Sequence, residues 1–330
     1  MTPTLSVVIP VHNEARNVPS TMGALLAALD RSGVEAEIIV VDDGSTDGSG
    51  AVATGVVGGR VPVRVLRQPN RGRFEARRAG VEAARGAFVL LLDGRVSIDA
   101  SALSFVQPRL EEGERVWTSH VHVRADGNLF GLFWQLLAEL AWAEYFDDPR
   151  TTSFGADDFD RFPKGTTCFL VPRALLVDAI GSFRTSYTDS RHSNDDTPLI
   201  RWIAERERIH VSPRYASSYR PRETIRAFLR HAFHRGVVFL DGHGRRESRF
   251  FPAVAAFYPV SGAVLALSLR RPALAAGSLG AVSVGAVALG MRHQKGRREL
   301  LALGLVAPVY AVAHGAGMWR GAVMRFVRPR

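Results

Sequence analysis

Apolar runs and amphipathic runs alternate from the first residues to about residue 120. "LSVVIPV" is apolar on both faces and predicts a buried strand, and Asn17 to Arg31 carries the periodicity of an amphipathic helix. "EIIVVDD" predicts a second strand, "VPVRVLRQ" a third and more exposed one, and "AFVLLLD" a fourth; a helix over Glu75 to Arg85, stopped near Gly86, separates the last two. Continuous apolar strands alternating with helices predict an α/β architecture, a mainly parallel Rossmann-like sheet flanked by helices. Ligands of such sheets bind beyond the carboxyl ends of the strands. Asp42, Asp43 and Asp93 all stand at such ends.

The pattern changes twice. Residues 129–146, "LFGLFWQLLAELAWAEYF", predict an apolar helix packed on the sheet or lining an acceptor groove, rather than a membrane span. In the last third, Phe250 to Leu269, Ala273 to Met291 and Leu300 to Trp319 are runs of about 20 residues without Asp, Glu, Lys or Arg, each long enough to cross about 30 Å of hydrocarbon. About three transmembrane helices follow. The basic connector "RHQKGRRE" belongs on the cytosolic side, which puts "RRP" outside. Three spans would also put the tail outside, although it carries four arginines, so one run is a candidate for a re-entrant or interfacial helix.

Composition narrows the partners. The chain has 330 residues and a net charge of +10, and its only lysines are Lys164 and Lys295. An arginine bias of this kind follows base composition of the genome more than nucleic-acid binding, and it suits an anionic membrane surface or phosphorylated substrates. With Cys168 the only cysteine, a disulfide framework and a Cys-based zinc site are excluded. The amino-terminal segment enters a strand at once, without the features of a signal peptide, so the catalytic part is expected on the cytoplasmic face of the cell (inner) membrane.

Four polar segments carry candidate chemistry. In "VVDDGSTDG", a carboxylate at Asp42 or Asp43 suits hydrogen bonds from a base or ribose, while Asp43 and Ser45 would equally cap the next helix. "IPVHNEARN" places Pro10, His12, Asn13 and Glu14 in a polar loop after the first strand. "PNRGRFEARRAG" places Asn70 and Gly72 before a helix bearing Arg77 and Arg78, either diphosphate ligands or solvated charges. Asp93 in "LLLDGR" ends the most apolar strand, where a lone acid is costly unless it binds something such as a metal bridging a diphosphate.

In this order and spacing the four segments resemble the inverting glycosyltransferases of family 2, over about residues 4–240. The resemblance implies a GT-A fold: a nucleotide-sugar-binding half at 1–120, an acceptor half at 121–220, a basic amphipathic interfacial helix and linker at 221–249 and the membrane region at 250–330. It implies that Pro10, Asn13 and Glu14 form the nucleotide loop, that Asp42 or Asp43 reads the base, and that Asn70, Gly72 and Arg77 match the Asn-x-Gly-x-x-x-Ala-Arg segment. The family pattern of Asp-x-Asp is broken, since Asp93 is followed two residues later by Arg95. Either Asp93 holds Mg²⁺ or Mn²⁺ with help from elsewhere, or Arg95 neutralises the diphosphate directly.

In "HSNDDTPLIRWIAER", Asp195 and Asp196 precede an amphipathic helix and would serve as caps; the resemblance makes Asp196 the catalytic base with Asp195 beside it. Arg222, Arg226, Arg230 and His234 recur at spacing four, with Arg235 next in "HRG", and predict a basic helix face for headgroups or for a phosphate of donor or acceptor. The expected activity is inverting transfer of a sugar from a nucleotide-sugar donor to a lipid or lipid-linked acceptor such as a polyprenyl phosphate, in the cell envelope. A silent nucleotide-sugar-binding scaffold and a nucleotidyltransferase on a related fold are the alternatives.

Overall fold

The computed structural model describes residues 4–125, 127–187 and 189–326. Its first half runs β1 (Leu5–Val11), α1 (Val18–Ser32), β2 (Ala36–Asp43), α2 (Ser49–Val57), β3 (Val63–Gln68), α3 (Arg73–Ala83) and β4 (Phe88–Leu92). There follow β5 (Val96–Ile98), α4 (Ala102–Glu111), β6 (Val116–Val123), α5 (Leu129–Ala141), α6 (Ala143–Phe146), β7 (Thr152–Phe154), β8 (Cys168–Pro172), α7 (Arg173–Ser182), α8 (Thr197–Ala204) and β9 (Ile209–Tyr219). The chain closes with α9 (Ile225–His243), α10 (Phe251–Ser268), α11 (Ala273–Arg292) and α12 (Arg297–Phe326).

The strands form one sheet in the order β3-β2-β1-β4-β8-β6-β9-β5, with β7 added on β9. The four amino-terminal strands are mutually parallel, as their apolar runs require. β8 then turns the direction, pairing antiparallel with both β4 and β6. The sheet is therefore mixed and mainly parallel, a GT-A-like arrangement. Residue 120, the expected boundary between the two halves, falls inside β6, so both expected halves share one sheet.

Period-two alternation decides which face each strand residue serves. Val7, Ile9, Ile38, Val40 and Leu90 pack against α1, α2 and α4. Val8, Ile39, Val41, Val89 and Leu91 pack against α3, α7 and α8. All of these are buried, each contributing about 1.5–3 kcal/mol of transfer free energy. Because the interior is spent on apolar side chains, the polar residues at the strand ends gather in the loops above the sheet.

α10, α11 and α12 are long and apolar enough to cross a membrane. Leu265, Leu269, Val284 and Met291 of this region are exposed, an arrangement stable against lipid and costly against water. α12 differs from the other two. Its first half packs Ala302, Leu303 and Val306 on Leu132, Phe133 and Leu136 of α5. Its second half meets α9 backbone to backbone: a Cβ on Gly317 would stand 2.0 Å from the Phe233 carbonyl oxygen, and one on Gly236 2.0 Å from that of His314. Small residues thus allow the close helix approach.

Candidate active site

A cleft of about 430 Å³ opens over the carboxyl ends of β1 and β4 and is walled by α5 and α9. Its floor is an ion cluster centred on Arg77 of α3. Arg77 Nη2 donates to Asp93 Oδ1 at 2.7 Å, and Nη1 donates to Asp195 Oδ2 at 2.5 Å and Asp196 Oδ1 at 2.9 Å. Arg73, one helical turn earlier, holds Asp195 bidentately at 2.7 and 3.1 Å. Arg77 and Asp195 are buried, and this cross-bracing is what makes buried charges tolerable. Burial alone would raise the Asp195 carboxyl, but the Arg73 and Arg77 guanidiniums outweigh it and hold the group well below the usual carboxylate range.

The two acids of the pair are therefore not equivalent. Asp195 is enclosed, at 3% side-chain exposure, with both oxygens taken, whereas Asp196 keeps 21% and lines the cleft. Asp196 Oδ1 also accepts from the Thr166 hydroxyl, while Oδ2 has only Arg73 Nη2 at 4.0 Å and takes no hydrogen bond among the described residues. Neither acid caps α8. That role falls to Asn194, whose Oδ1 accepts from Thr197 N at 3.1 Å.

The loops that follow β1, β2 and β3 are tied together by the chain's own groups. Asp43 accepts from the backbone N–H of Arg71 at 2.8 Å and of Gly72 at 2.9 Å, and from Gln68 Nε2 at 2.7 Å. Gly72 has φ of 92°, and a Cβ there would stand 2.7 Å from Arg191 Cα, so only glycine lets the loop before α8 lie on this turn. Asn13 accepts from Thr46 N at 2.8 Å, and the Asn70 amide lies 3.2 Å from the His12 ring. Pro10, His12, Glu14, Asp43, Asp93 and Arg95 line the cleft.

Asp42 does not. Its Oδ1 accepts from Ser45 N at 2.8 Å, and its other oxygen lies close to Gly50 at the start of α2, so it shapes the Gly44–Ser45 turn from below. Side chains alternate along a strand, so Asp42 and Asp43 face opposite ways, and only Asp43 can belong to the cleft.

The basic helix is also rotated from expectation. Arg226 and Arg230 are exposed on the outer side of α9, beside exposed Ile225, Leu229 and Phe233. His234 sits near His192, ring centroids 6.3 Å apart, away from the cleft lining. The strip that faces the cleft is Arg222, His231 and Arg235. Spacing four was the right period, but the phase is set by which face packs on α12 and α5. Burial first, then Arg235 and Arg222, hold His231 neutral, well below the ordinary histidine value.

Sequence reasoning also missed Arg73, Lys164 and the tryptophans of the α5–α6 segment. Trp134 and Trp142 line the cleft, and their indole N–H groups are buried without a hydrogen-bond partner among the described residues. A break at Trp142 between α5 and α6 turns that ring into the cleft.

The divalent metal implied by the fold family finds a poor donor set. Asp93 already binds a cation, Arg77, and Arg95 occupies the place of the second acid, its Nε donating to Glu14 Oε1 at 2.6 Å. No group of three or more His, Cys, Asp or Glu among the described residues could hold a metal ion.

The Glycosyl transferase family 2 model matches residues 6–177, just over half of the 330. The chain is 41% identical over 92 residues to the undecaprenyl-phosphate 4-deoxy-4-formamido-L-arabinose transferase of Aeromonas hydrophila (27% of this chain, 28% of that protein). It is 32% identical over 111 residues to the same enzyme of Shewanella sediminis (33% and 34%). The chain thus spans about a third or less of the length of these curated relatives. Among solved structures, Staphylococcus aureus TarS residues 1–349, in complex with UDP-GlcNAc, aligns over 97% of this chain and 90% of its own with a TM-score of 0.54 and 16% identity, a likeness of fold. The match over more than half of the chain makes it a member of glycosyl transferase family 2.

Proposed function

We propose that the protein moves a sugar from a nucleotide-sugar donor to a lipid acceptor, a polyprenyl phosphate or lipid-linked glycan, by a single inverting displacement with Asp196 as the base. The observation that carries this is the position of Asp196 Oδ2. It faces the cleft between the polar donor loops on one side and the tryptophan-lined wall of α5 on the other. A hydroxyl or phosphate oxygen of an acceptor entering along α5 would lose its proton to Oδ2 as it attacks the anomeric carbon. Arg77 and Thr166 hold the other oxygen and fix the carboxylate's direction, while Asp195 serves as a positioning residue through Arg73 and Arg77.

Two further facts support a lipid acceptor. The curated relatives named above are undecaprenyl-phosphate sugar transferases. The α5 wall is continuous with the apolar cluster formed with α12, so the acceptor side of the cleft abuts the membrane region. TarS was solved with UDP and UDP-GlcNAc, which makes UDP-sugars the first donors to test.

Packing supports one membrane placement. α12 lies against α5 and α9 from Ala302 to Gly321, and α9 presents Arg226 and Arg230 beside its exposed apolar residues. Arginines on that face suit a headgroup layer and not hydrocarbon. In this reading α10 and α11 form the crossing hairpin and α12 lies in the interface with α9. Lys295, in the connector before α12, reaches Glu139 of α5 at 2.5 Å, which keeps that connector on the same side.

The test is full-length protein in nanodiscs, supplied with polyprenyl phosphate and a panel of nucleotide sugars. Nucleoside diphosphate release with formation of a lipid-linked sugar supports the proposal. Pyrophosphate release would mean a nucleotidyltransferase, and no turnover with any donor would mean a binding protein.

A further inference from the structure

We infer that arginines do the work of a divalent cation here: Arg95, with Arg222 and Arg235 across the cleft, takes the diphosphate of the donor. This rests on the sugar-transfer reading above and specifies how its leaving group is stabilised. As the bond from sugar to diphosphate breaks, negative charge grows on the diphosphate oxygens, and a fixed positive group must meet it. A metal would need at least two carboxylates directed at one point. The two carboxylates that converge in the cleft, Asp93 and Asp196, do so on the Arg77 guanidinium, which already occupies Oδ1 of each at 2.7 and 2.9 Å. A dication beside that guanidinium would be repelled by it.

The cationic side of the cleft is built differently. Arg95 and Arg222 converge on one carboxylate, Glu14: Arg95 Nε is 2.6 Å from Oε1, and Arg222 Nη1 is 3.8 Å from the same atom. Glu14 Oε2 is taken by Asn17 Nδ2 at 2.6 Å, so one acid serves two guanidiniums incompletely. Arg222 Nη1 is in fact buried without any hydrogen-bond partner among the described residues. Arg235 enters the same cleft from α9 with no acid paired to it among the described residues. An orphaned donor and two undercompensated cations, two residues past Asp93, form a receptor for an anion. Guanidiniums bind phosphate oxygens in pairs of parallel hydrogen bonds and stay charged at any physiological pH. On binding, diphosphate oxygens replace Glu14 as the partner of Arg95; no bond to metal is formed or broken.

Calorimetric titration of UDP and of GDP into the full-length protein in nanodiscs, in EDTA and in Mg²⁺ or Mn²⁺, tests this without relying on turnover. The expected result is a Kd for the preferred nucleotide that changes less than about twofold between EDTA and metal, and that weakens by about tenfold or more in Arg95→Ala and in Arg222→Ala, the loss of a charge-assisted hydrogen bond. Arg95→Asp, which restores a second acid two residues after Asp93, should bind only when metal is present. Each variant's thermal transition, compared with wild type, separates lost binding from lost folding. Wild-type binding that disappears in EDTA and returns with Mg²⁺ or Mn²⁺ overturns the inference while leaving sugar transfer intact, and so does unchanged affinity in a folded Arg95→Ala. Absence of binding to either nucleotide under all conditions overturns both.

Discussion

Arg77 Nη1 lies 2.5 Å from Asp195 Oδ2, joining the helix after the third strand to the loop before α8 across 118 residues of chain. Through this contact the segments that begin α3 and α8 are held at one distance. Arg77 is also the only cation bonded to Asp93 among the described residues.

Removing that cation should therefore be costly. Arg77→Met leaves Asp93, Asp195 and Asp196 facing one another with Arg73 alone for compensation, and a broken buried pair typically costs 3–5 kcal/mol. A fall of that order in unfolding free energy is expected, and Arg77→Lys should not restore it, because one ammonium cannot reach all three carboxylates. Denaturant titration of the detergent-solubilised protein checks this; a stable Arg77→Met variant would show that the cluster is not what joins the halves.

The α9–α12 contact has an equally local dependence. A side chain at Gly317 would collide with the Phe233 carbonyl, whereas a Cβ on Gly277 of α11 meets nothing within 4 Å. Gly317→Leu should lower stability by about 1–3 kcal/mol or more by forcing the helices apart, and Gly277→Ala should be neutral or slightly stabilising. Thermal transitions of the two variants measured side by side give the answer.

Membrane placement can be read from labelling. With cysteine placed at Pro272, Gly296 or Arg320 in the full chain, an impermeant maleimide should reach the first from the face opposite the catalytic half and the other two from the same face as it. Native Cys168 is buried, and burial pushes its thiol up to about 12, so its background labelling should be small. Labelling of Arg320→Cys together with Pro272→Cys would mean that α12 crosses.

Lys164, beside the cleft, gives a pH signature. Burial first, opposed by Asp160, then Arg249 and Arg201, lower its ammonium to about 7. The unfolded chain keeps that proton up to about pH 10.4, so between pH 7 and 10 the unfolded state binds more protons and stability from this residue rises with pH. The rise should flatten in Lys164→Met. Equal slopes in both proteins would mean that Lys164 stays protonated in the fold.

The parallel half of the sheet was legible because its strands carry unbroken apolar runs bounded by turn residues. Asp93, Asp196 and Glu14 were legible as cleft residues because each is an acid at the edge of an apolar element. What failed was direction. Asp42 and Asp43 are neighbours in sequence and differ only in which face of β2 they leave, and the face is set by burial against α2. The phase of α9 is likewise set by Gly236 and Gly317, which carry no hydrophobic signal at all. Strands β5, β6 and β7 were not foreseen, being short or mixed in polarity. Arg73 was passed over because its partner, Asp195, lies 122 residues away in sequence.

In the proposed reaction Asp196 takes the acceptor's proton in a cleft that binds the donor without it. The measurement is paired: lipid-linked sugar formation and nucleoside diphosphate affinity for wild type and Asp196→Asn in the same nanodiscs. Turnover is expected to fall by about 10²–10⁴-fold while affinity is held within about threefold. Turnover in the variant comparable to wild type would contradict it.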